Sequence, residues 1–199
     1  MSDLHKRPVH ALVLAGGKSR RMGRDKAGLV LAGKPQLTHV VDLVAPVVDK
    51  VWVSVRKDQP ADPLRDAYPQ VVDRNDDAGP VAGIIAALET YPDVDWLVVA
   101  VDLPNLDRET LDYLLEQASD PRFTAFRSVR DGLPEPLCAL YRPAALPVIR
   151  GFVEEGIVCP RKILIRSDAE LLEQPKPGAL ENVNTPDDLA LVGLDGSAA

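Results

Sequence analysis

The sequence predicts an α/β fold with a mostly parallel sheet, and three observations support this. Short apolar runs recur along the chain and resemble strands that are buried on both faces. Segments with the apolar spacing of helices separate these runs. The 199 residues are 46% hydrophobic and 27% charged, a balance typical of one globular domain. Alternating strands and helices favour a sheet that helices cover on both faces.

The first elements are predicted from short apolar runs and helical spacing. Residues 10–15 (HALVLA) end in two glycines, which indicates a buried strand that enters a loop. Residues 37–48 have helical spacing. Residues 51–55 (VWVSV) predict a second strand. A strand, a loop and a helix therefore open the chain.

The middle of the chain contains the strongest signals. Residues 81–88 (VAGIIAAL) predict a buried helix, and the preceding Gly79-Pro80 places proline in its first turn, where it is favourable. Residues 96–101 (WLVVAV) predict a central strand. Asp107 is then expected to cap a helix that runs to about Gln117.

Later signals are weaker. They indicate a strand near residues 136–141, a helix after Pro147 and a last helix after Pro186. The chain has no internal repeat and no linker that would divide it, so residues 1–199 are expected to form a single domain. Residues 1–8 and 193–199 are expected to be flexible tails.

A segment rich in glycine and basic residues follows the first predicted strand. Glycines let the backbone turn sharply and approach a ligand, and successive N–H groups in such a turn bind anions. Arginine can donate two hydrogen bonds to phosphate oxygens, whereas lysine interacts with them as a point charge. The relevant residues of this segment are Gly16, Gly17, Lys18, Ser19, Arg20, Arg21, Gly23, Arg24 and Lys26. The segment is therefore predicted to bind a phosphate, and a solvated basic turn is the weaker interpretation.

Two common phosphate-loop motifs do not account for this segment. A Walker A motif ending at Ser19 would need its first glycine at Leu12. The spacing G-x-G-x-x-G is also absent, which removes the main support for a dinucleotide-dependent oxidoreductase.

Asp102 follows the strongest strand directly, so it is a second candidate for the site. Ligands of open α/β sheets bind beyond the carboxyl ends of the strands, where Asp102 and the glycine-rich segment should share one crevice. A buried carboxylate needs a partner, and Mg²⁺ prefers one or two carboxylates together with substrate phosphates. Asp102 is therefore predicted to bind Mg²⁺. A structural cap is the alternative, although Asp107 is better placed for that role.

Composition excludes several other classes. The net charge of −7 disfavours nonspecific nucleic-acid binding. No apolar run is long enough to span a membrane, and no signal peptide is apparent, so a cytoplasmic protein is expected. Cys138 and Cys159 are expected to be reduced and structural. The histidines offer no constellation with a serine, which makes a hydrolase triad improbable.

Residues 14–26 (LAGGKSRRMGRDK) resemble the signature L-A-G-G-x-S-x-R-M-G-x-D-K of the MobA-type molybdenum cofactor guanylyltransferases. The resemblance continues through residues 79–83, 101–104 and 182–189 and so covers nearly the whole chain. It implies a Rossmann-like three-layer α/β/α nucleotidyltransferase fold. The implied reaction transfers GMP from GTP to the molybdopterin cofactor with Mg²⁺ and releases pyrophosphate. Association with other proteins of molybdenum cofactor synthesis is a further expectation from the family.

The resemblance also implies roles for particular residues. Arg21, Lys26 and Asp102 are the expected catalytic residues, and Asp102 is the expected metal ligand. The expected nucleotide-binding residues are Leu14, Ala15, Gly16, Gly17, Ser19, Arg21, Gly23, Lys26, Arg56, Asp73, Gly83 and Asp102. The expected acceptor-binding residues are Glu135, Asn182, Asn184 and Thr185.

The resemblance also implies that Asp73 recognises the base, and its carboxylate can accept hydrogen bonds from the N1–H and amine of guanine. A polar residue in an ordinary loop is the competing interpretation. The chain departs from the family pattern at Arg56, where an asparagine is usual, and at Glu135, where a histidine is common. Turn formation could equally explain Asn182, Asn184 and Thr185.

Two alternative functions remain open on sequence grounds. One is a cytidylyltransferase of the same cofactor, or a nucleotidyltransferase that acts on a sugar phosphate. The other, from a different class, is a non-catalytic nucleotide-binding sensor or a scaffold for cofactor delivery. The joint presence of Arg21, Lys26 and Asp102 argues against a protein that only binds nucleotide.

Overall fold

The computed structural model describes residues 7–15, 25–31, 33–73, 78–182 and 194–198. Its strands are β1 (Val9–Leu14), β2 (Leu29–Leu31), β3 (Lys34–Pro35), β4 (Lys50–Arg56), β5 (Gln70–Asp73), β6 (Asp95–Ala100), β7 (Phe123–Arg127), β8 (Pro134–Tyr141), β9 (Glu170–Leu172) and β10 (Leu194–Ala198). Its α-helices are α1 (Gln36–Val44), α2 (Pro63–Asp66), α3 (Pro80–Thr90), α4 (Arg108–Gln117), α5 (Ala145–Glu154) and α6 (Pro160–Arg166). Short 3₁₀ helices cover Lys26–Gly28 and Ala45–Val47.

The main sheet has seven strands in the order β5-β4-β1-β6-β8-β7-β9. β5, β4, β1 and β6 are parallel, and β7 is parallel to β9. β8 is antiparallel to both of its neighbours, β6 and β7. The sheet is thus mostly parallel, as the sequence predicts. A small antiparallel sheet of order β10-β2-β3 lies apart from it.

Helices cover both faces of the main sheet and bury two separate apolar clusters. On one face α1 and α4 contribute residues such as Leu37 and Leu111. On the other face α3, α5 and α6 contribute residues such as Ile84, Ile149 and Ile163. The expected three-layer α/β/α fold is therefore confirmed.

Local sequence determines where two helices begin. Pro80 is the first residue of α3, and the preceding Gly79 has a φ of 54°, which favours glycine. Asp107 caps α4, as predicted, because its carboxylate accepts a hydrogen bond from the Thr110 N–H at 2.9 Å. The starts of α3 and α4 therefore follow from local sequence.

Several boundaries and elements differ from the expectation. α5 begins at Ala145, ahead of Pro147, because proline is tolerated in the first turn of a helix. β7, β9 and α6 carry no clear sequence signal, since their apolar runs are short. The helix expected after Pro186 lies outside the described residues.

The expected tails include residues that make contacts in the structure. The carbonyl of Pro8 accepts a hydrogen bond from the Asp95 N–H at 3.0 Å. Residues 194–198 form β10, whose backbone pairs with β2. Strand pairing satisfies backbone groups that a frayed tail would leave to water.

Cys138 and Cys159 form no disulfide with each other. Cys138 is buried and Cys159 is exposed. Burial, and to a lesser degree the Glu135 carboxylate, raises the pKa of the Cys138 thiol to about 12, so this side chain is not a thiolate nucleophile. Among the helices that the structure describes, none has the length and apolarity needed to cross a membrane.

Candidate functional site

β1 and β6 bring the two predicted parts of the site to one edge of the sheet. The strands are parallel neighbours in which Leu14 is opposite Ala100. The Val101 N–H then donates to the Leu14 carbonyl at 3.4 Å. Ala15 and Asp102 therefore follow at the same carboxyl edge, which is where ligands bind in open α/β sheets.

Lys26 and Asp102 form an ion pair at this edge. The Lys26 Nζ donates to the Asp102 Oδ2 at 2.8 Å, and each side chain is 20% exposed. Lys26 begins the 3₁₀ helix Lys26–Gly28, which Asp25 caps by accepting a hydrogen bond from the Ala27 N–H at 3.1 Å. A positive charge from beyond β1 and a carboxylate from beyond β6 thus meet at one place, as the sequence predicts.

Arg65 connects the residues on either side of the glycine-rich segment. Its Nη2 donates to the Ala15 carbonyl and to the Asp25 Oδ1, each at 2.8 Å. Its Nη1 donates to the Asp62 carboxylate, which also caps α2. Arg65 is 3% exposed, so the structure adds a buried cation to the immediate surroundings of Lys26.

Asp73 and Arg56 lie side by side at the carboxyl ends of β5 and β4, where they are direct partners in the register. Asp73 is 6% exposed. The Nε of Arg56 is 3.4 Å from the Asp58 Oδ1, and its side chain is 22% exposed. Arg56 also lines a cavity of about 250 Å³ together with Lys57, Gln59 and Arg65. The two residues expected to affect base recognition are therefore adjacent.

Gly83 lies where α3 crosses β4 and β1. A Cβ at this position would be 2.4 Å from the Ser54 Oγ and 3.3 Å from the Leu14 Cδ2. Glycine therefore allows α3 to approach the strands closely at the ends that carry the site. Close packing is thus a structural reason for Gly83, beside its expected contact with nucleotide.

Glu135 forms an ion pair with Arg161. The Arg161 Nη2 donates to the Glu135 Oε2 at 2.9 Å, and its Nη1 donates to the Asp131 Oδ2 at the same distance. Because β8 is antiparallel to β6 with Cys138 opposite Val99, Glu135 lies towards the same carboxyl edge as Asp102. The Glu135 side chain is 16% exposed.

A cavity of about 480 Å³ lies beyond β6, near the expected acceptor segment. Asn105, Val129, Lys176, Gly178 and Glu181 are among the residues that line it. Asn182, which directly follows Glu181, is exposed. This volume falls within the usual range for small-molecule sites.

Lys176 lies at the rim of this cavity and donates to the Asp107 Oδ2 at 2.8 Å. Although burial opposes the shift, hydrogen bonds from Lys176 and Thr110 lower the pKa of Asp107. Asp107 therefore stays ionised and continues to cap α4, which is the role that the sequence predicts for it.

Some predicted site residues lie outside the described part of the chain. They are Gly16, Gly17, Ser19, Arg21, Gly23, Asn184 and Thr185. Within the described residues, no group of three or more His, Cys, Asp or Glu side chains forms a metal centre.

Sequence reasoning identified Lys26 and Asp102 but missed Arg65 and the role of Asp25. Asp25 belongs to the quoted signature, so its position beside Lys26 was an available signal. Arg65 lies in α2, a helix of only four residues between β4 and β5, where no pattern of spacing distinguishes it from a surface arginine. Its connection to the site is visible only in its contacts with Ala15 and Asp25, which are distant in the sequence.

The fold and this edge of the sheet are those of an α/β protein that binds its ligand at the carboxyl ends of parallel strands. The chain belongs to the MobA-like NTP transferase family, because the family model of the MobA-like NTP transferase domain matches residues 11–171. This match contains every strand of the main sheet except the first two residues of β1 and the last residue of β9.

Curated relatives and a solved structure agree with this assignment. The chain is 33% identical to the molybdenum cofactor guanylyltransferase of Pseudomonas aeruginosa, over 96% of this chain and 97% of that one. It is 37% identical to a molybdenum cofactor biosynthesis bifunctional protein of Synechocystis sp., over 94% of this chain but 54% of the relative. The crystal structure of molybdopterin-guanine dinucleotide biosynthesis protein A from Archaeoglobus fulgidus superposes with a TM-score of 0.71, at 28% identity and over 92% of this chain and 96% of that one.

Proposed function

We propose that this chain is a molybdenum cofactor guanylyltransferase that transfers GMP from GTP to the molybdopterin cofactor and releases pyrophosphate. The observation that carries the proposal is the Lys26–Asp102 pair at the carboxyl edge of β1 and β6. Relatives with this activity in their names match the chain over most of its length. We place the reaction in the cytoplasm, with GTP and the molybdopterin cofactor as substrates.

The reaction is a substitution at the α-phosphorus of GTP. An oxygen of the acceptor phosphate forms a bond to that phosphorus while the bond to the pyrophosphate oxygen breaks. Because the acceptor oxygen is already an anion, positioning and charge stabilisation can supply most of the catalysis. Lys26 would stabilise the negative charge that accumulates on the phosphates.

Mg²⁺ fits the residues at this edge. Asp102 offers carboxylate oxygens at a site that is 20% exposed, and Mg²⁺ is commonly held by one or two carboxylates together with substrate phosphates. Asp102 would therefore hold the ion against the phosphates of the nucleotide. The bound ion would offset phosphate charge and orient the leaving group.

Selection of guanine is assigned to Asp73, with Arg56 beside it. A carboxylate can accept hydrogen bonds from both the N1–H and the amine of guanine, which adenine cannot provide. The register partner Arg56 can donate to the carbonyl and ring nitrogen of cytosine and also to the O6 and N7 of guanine, so cytidylyl transfer is kept as the second candidate. The two candidate functions, guanylyl and cytidylyl transfer, therefore differ in the base that the site selects.

The proposal is tested by measuring pyrophosphate release with Mg²⁺ and molybdopterin cofactor, using GTP, CTP, ATP and UTP in parallel. We expect release with GTP, and we expect Asp73→Asn to reduce the preference for GTP because an amide places a donor where guanine needs an acceptor. Release with CTP alone would favour the second candidate. Absence of release with all four nucleotides would contradict both.

A further inference from the structure

Arg65 is a buried cation whose contacts extend beyond its own helix. It lies in α2, within the connection from β4 to β5, and its side chain is 4% exposed. It donates from Nη2 at 2.8 Å and from Nε at 3.2 Å to the carbonyl of Ala15. It also forms ion pairs with the carboxylates of Asp25 and Asp62.

Burial of the Arg65 guanidinium is energetically unfavourable unless all of its N–H groups form hydrogen bonds. Removing a guanidinium from water is unfavourable and is offset only when charge partners and hydrogen bonds surround it. Asp62, three residues away, would suffice to hold Arg65 in α2. The remaining contacts reach Ala15 and Asp25, far away in the sequence, so the buried cation stabilises an arrangement outside its own helix.

That arrangement includes the Lys26–Asp102 pair. Ala15 directly follows β1, and Asp25 both caps the 3₁₀ helix and directly precedes Lys26. The Asp25 Oδ2 is 2.6 Å from the Arg65 Nη2, and the Lys26 Nζ is 2.8 Å from the Asp102 Oδ2. One guanidinium therefore fixes the distance between the end of β1 and the turn that supplies the lysine.

We propose that Arg65 is a positioning residue for the nucleotide site, which holds Ala15 and Asp25 together and thereby places Lys26 against Asp102. The inference rests on the proposed function in assigning nucleotide phosphates to this edge. Lysine cannot substitute, because a single ammonium lacks the planar fork that reaches a carbonyl and two carboxylates at once. Loss of the fork removes the shared partner of Ala15 and Asp25, so nucleotide binding must then restore their spacing and the placement of Lys26.

The test uses Arg65→Lys in the full chain, with direct measurement of GTP binding by calorimetry in the presence of Mg²⁺. We expect the dissociation constant to rise by about tenfold, the effect of losing one charge-assisted hydrogen bond. In turnover assays we expect a higher KM for GTP and a lower kcat, whereas the KM for the molybdopterin cofactor stays unchanged. An unchanged dissociation constant for GTP would overturn the inference.

Arg142 provides a matched control at the opposite edge of the sheet. It donates to the Asp95 Oδ2 at 3.2 Å and to the Ala118 carbonyl at 3.1 Å, so it also ties separate segments together. Arg142→Lys should lower the melting temperature without altering the affinity for GTP. Equal loss of GTP affinity in both variants would mean that Arg65 acts through general stability, which contradicts positioning.

A second variant covers the case in which Arg65→Lys does not fold. The Asp25 side chain is 51% exposed, so Asp25→Asn removes its charge with little effect on the core. We expect Asp25→Asn to weaken GTP binding, and its effect should be smaller in an Arg65→Lys background because both changes break one contact. Wild-type GTP affinity in Asp25→Asn would overturn the inference.

Failure of the proposed function gives a different result. A wild-type chain that binds GTP but releases no pyrophosphate with the molybdopterin cofactor contradicts the proposed reaction, while the binding comparison between Arg65→Lys and Arg142→Lys still decides the role of Arg65. A wild-type chain that binds no nucleoside triphosphate contradicts the positioning role as well.

Discussion

Lys26 and Asp102 illustrate how two side chains from distant parts of the sequence become one chemical unit. The partial burial of both groups makes their mutual attraction stronger than that of a fully exposed pair. Each charge is partly compensated by the other, and both remain within reach of solvent and therefore of a ligand. The two side chains can therefore rearrange around phosphates without leaving a buried charge uncompensated.

At the residue scale we expect Asp102→Ala to reduce turnover by at least about a hundredfold, because charge stabilisation at the reacting phosphate is lost. Affinity for GTP should fall much less, since Lys26 and the backbone would still contact the phosphates. Steady-state kinetics and GTP calorimetry, performed on the same preparation, separate the two effects.

Asp112→Asn is the control for this change. Asp112 also pairs with a cation, Arg108, but in an exposed i,i+4 pair on α4. Its substitution should leave turnover near the wild-type value. Full turnover in Asp102→Ala would show that the carboxylate is not required at the reacting centre.

At the scale of the element, α3 can approach the sheet closely because residue 83 is glycine and has no side chain. Alanine at position 83 gains helix propensity but meets the Ser54 Oγ at 2.4 Å. We expect Gly83→Ala to lower the free energy of unfolding by about 1 kcal/mol, because overpacking outweighs the gain in propensity. Denaturant unfolding followed by circular dichroism measures this change.

Ser54→Ala provides the partner variant, since it removes the nearest atom. In that background the next contact is the Leu14 Cδ2 at 3.3 Å, so Gly83→Ala should cost less there than in the wild-type chain. Equal losses in both backgrounds would contradict steric conflict with Ser54 as the cause.

The elements also show what a single sequence can reveal. β1, β6, α3 and the cap of α4 follow from apolar runs and local cap chemistry, and these elements place Lys26 and Asp102 at one edge. The contact of Arg65 with Ala15 and the pairing of Glu135 with Arg161 join residues far apart in the chain. Periodicity and local propensity contain no information about such partners, so these parts of the site could not be predicted.

At the scale of the whole molecule, Glu170 connects β9 to the rest of the sheet. Its carboxylate accepts hydrogen bonds from the Ser119 N–H at 2.8 Å, the Asp120 N–H at 3.0 Å and the Thr124 hydroxyl at 2.7 Å. Burial alone would raise the pKa of Glu170, but a hydrogen bond from the Ser119 hydroxyl, together with the three just described, outweighs it and lowers the pKa to about 2. The folded state therefore holds the ionised form.

The sign of the pH dependence follows from this lowered pKa. The stabilisation by Glu170 is complete above its ordinary pKa of 4.5 and is lost as the pH falls from there towards 2. We expect Glu170→Gln to lower the free energy of unfolding at pH 6 by on the order of 1 kcal/mol and to have a smaller effect near pH 3. Urea unfolding at the two pH values measures the difference.

Glu173→Gln is the matched control, because Glu173 is 77% exposed and pairs with Arg127 at the surface. Its effect should be small and nearly the same at both pH values. A loss in Glu170→Gln that does not depend on pH would mean that the hydrogen bonds, and not the charge, provide the stabilisation.

The small sheet has a consequence for the order in which the chain can assemble during synthesis. β2 follows the turn that carries Lys26, yet one of its partners is β10, in which Leu194 is opposite Leu31. Chains emerge from the ribosome with the N-terminal end first, and contacts between distant segments form late. β2, which follows the turn that carries Lys26, therefore gains this partner only after residues 194–198 have been translated, so a shorter nascent chain would lack this strand pairing beside Lys26.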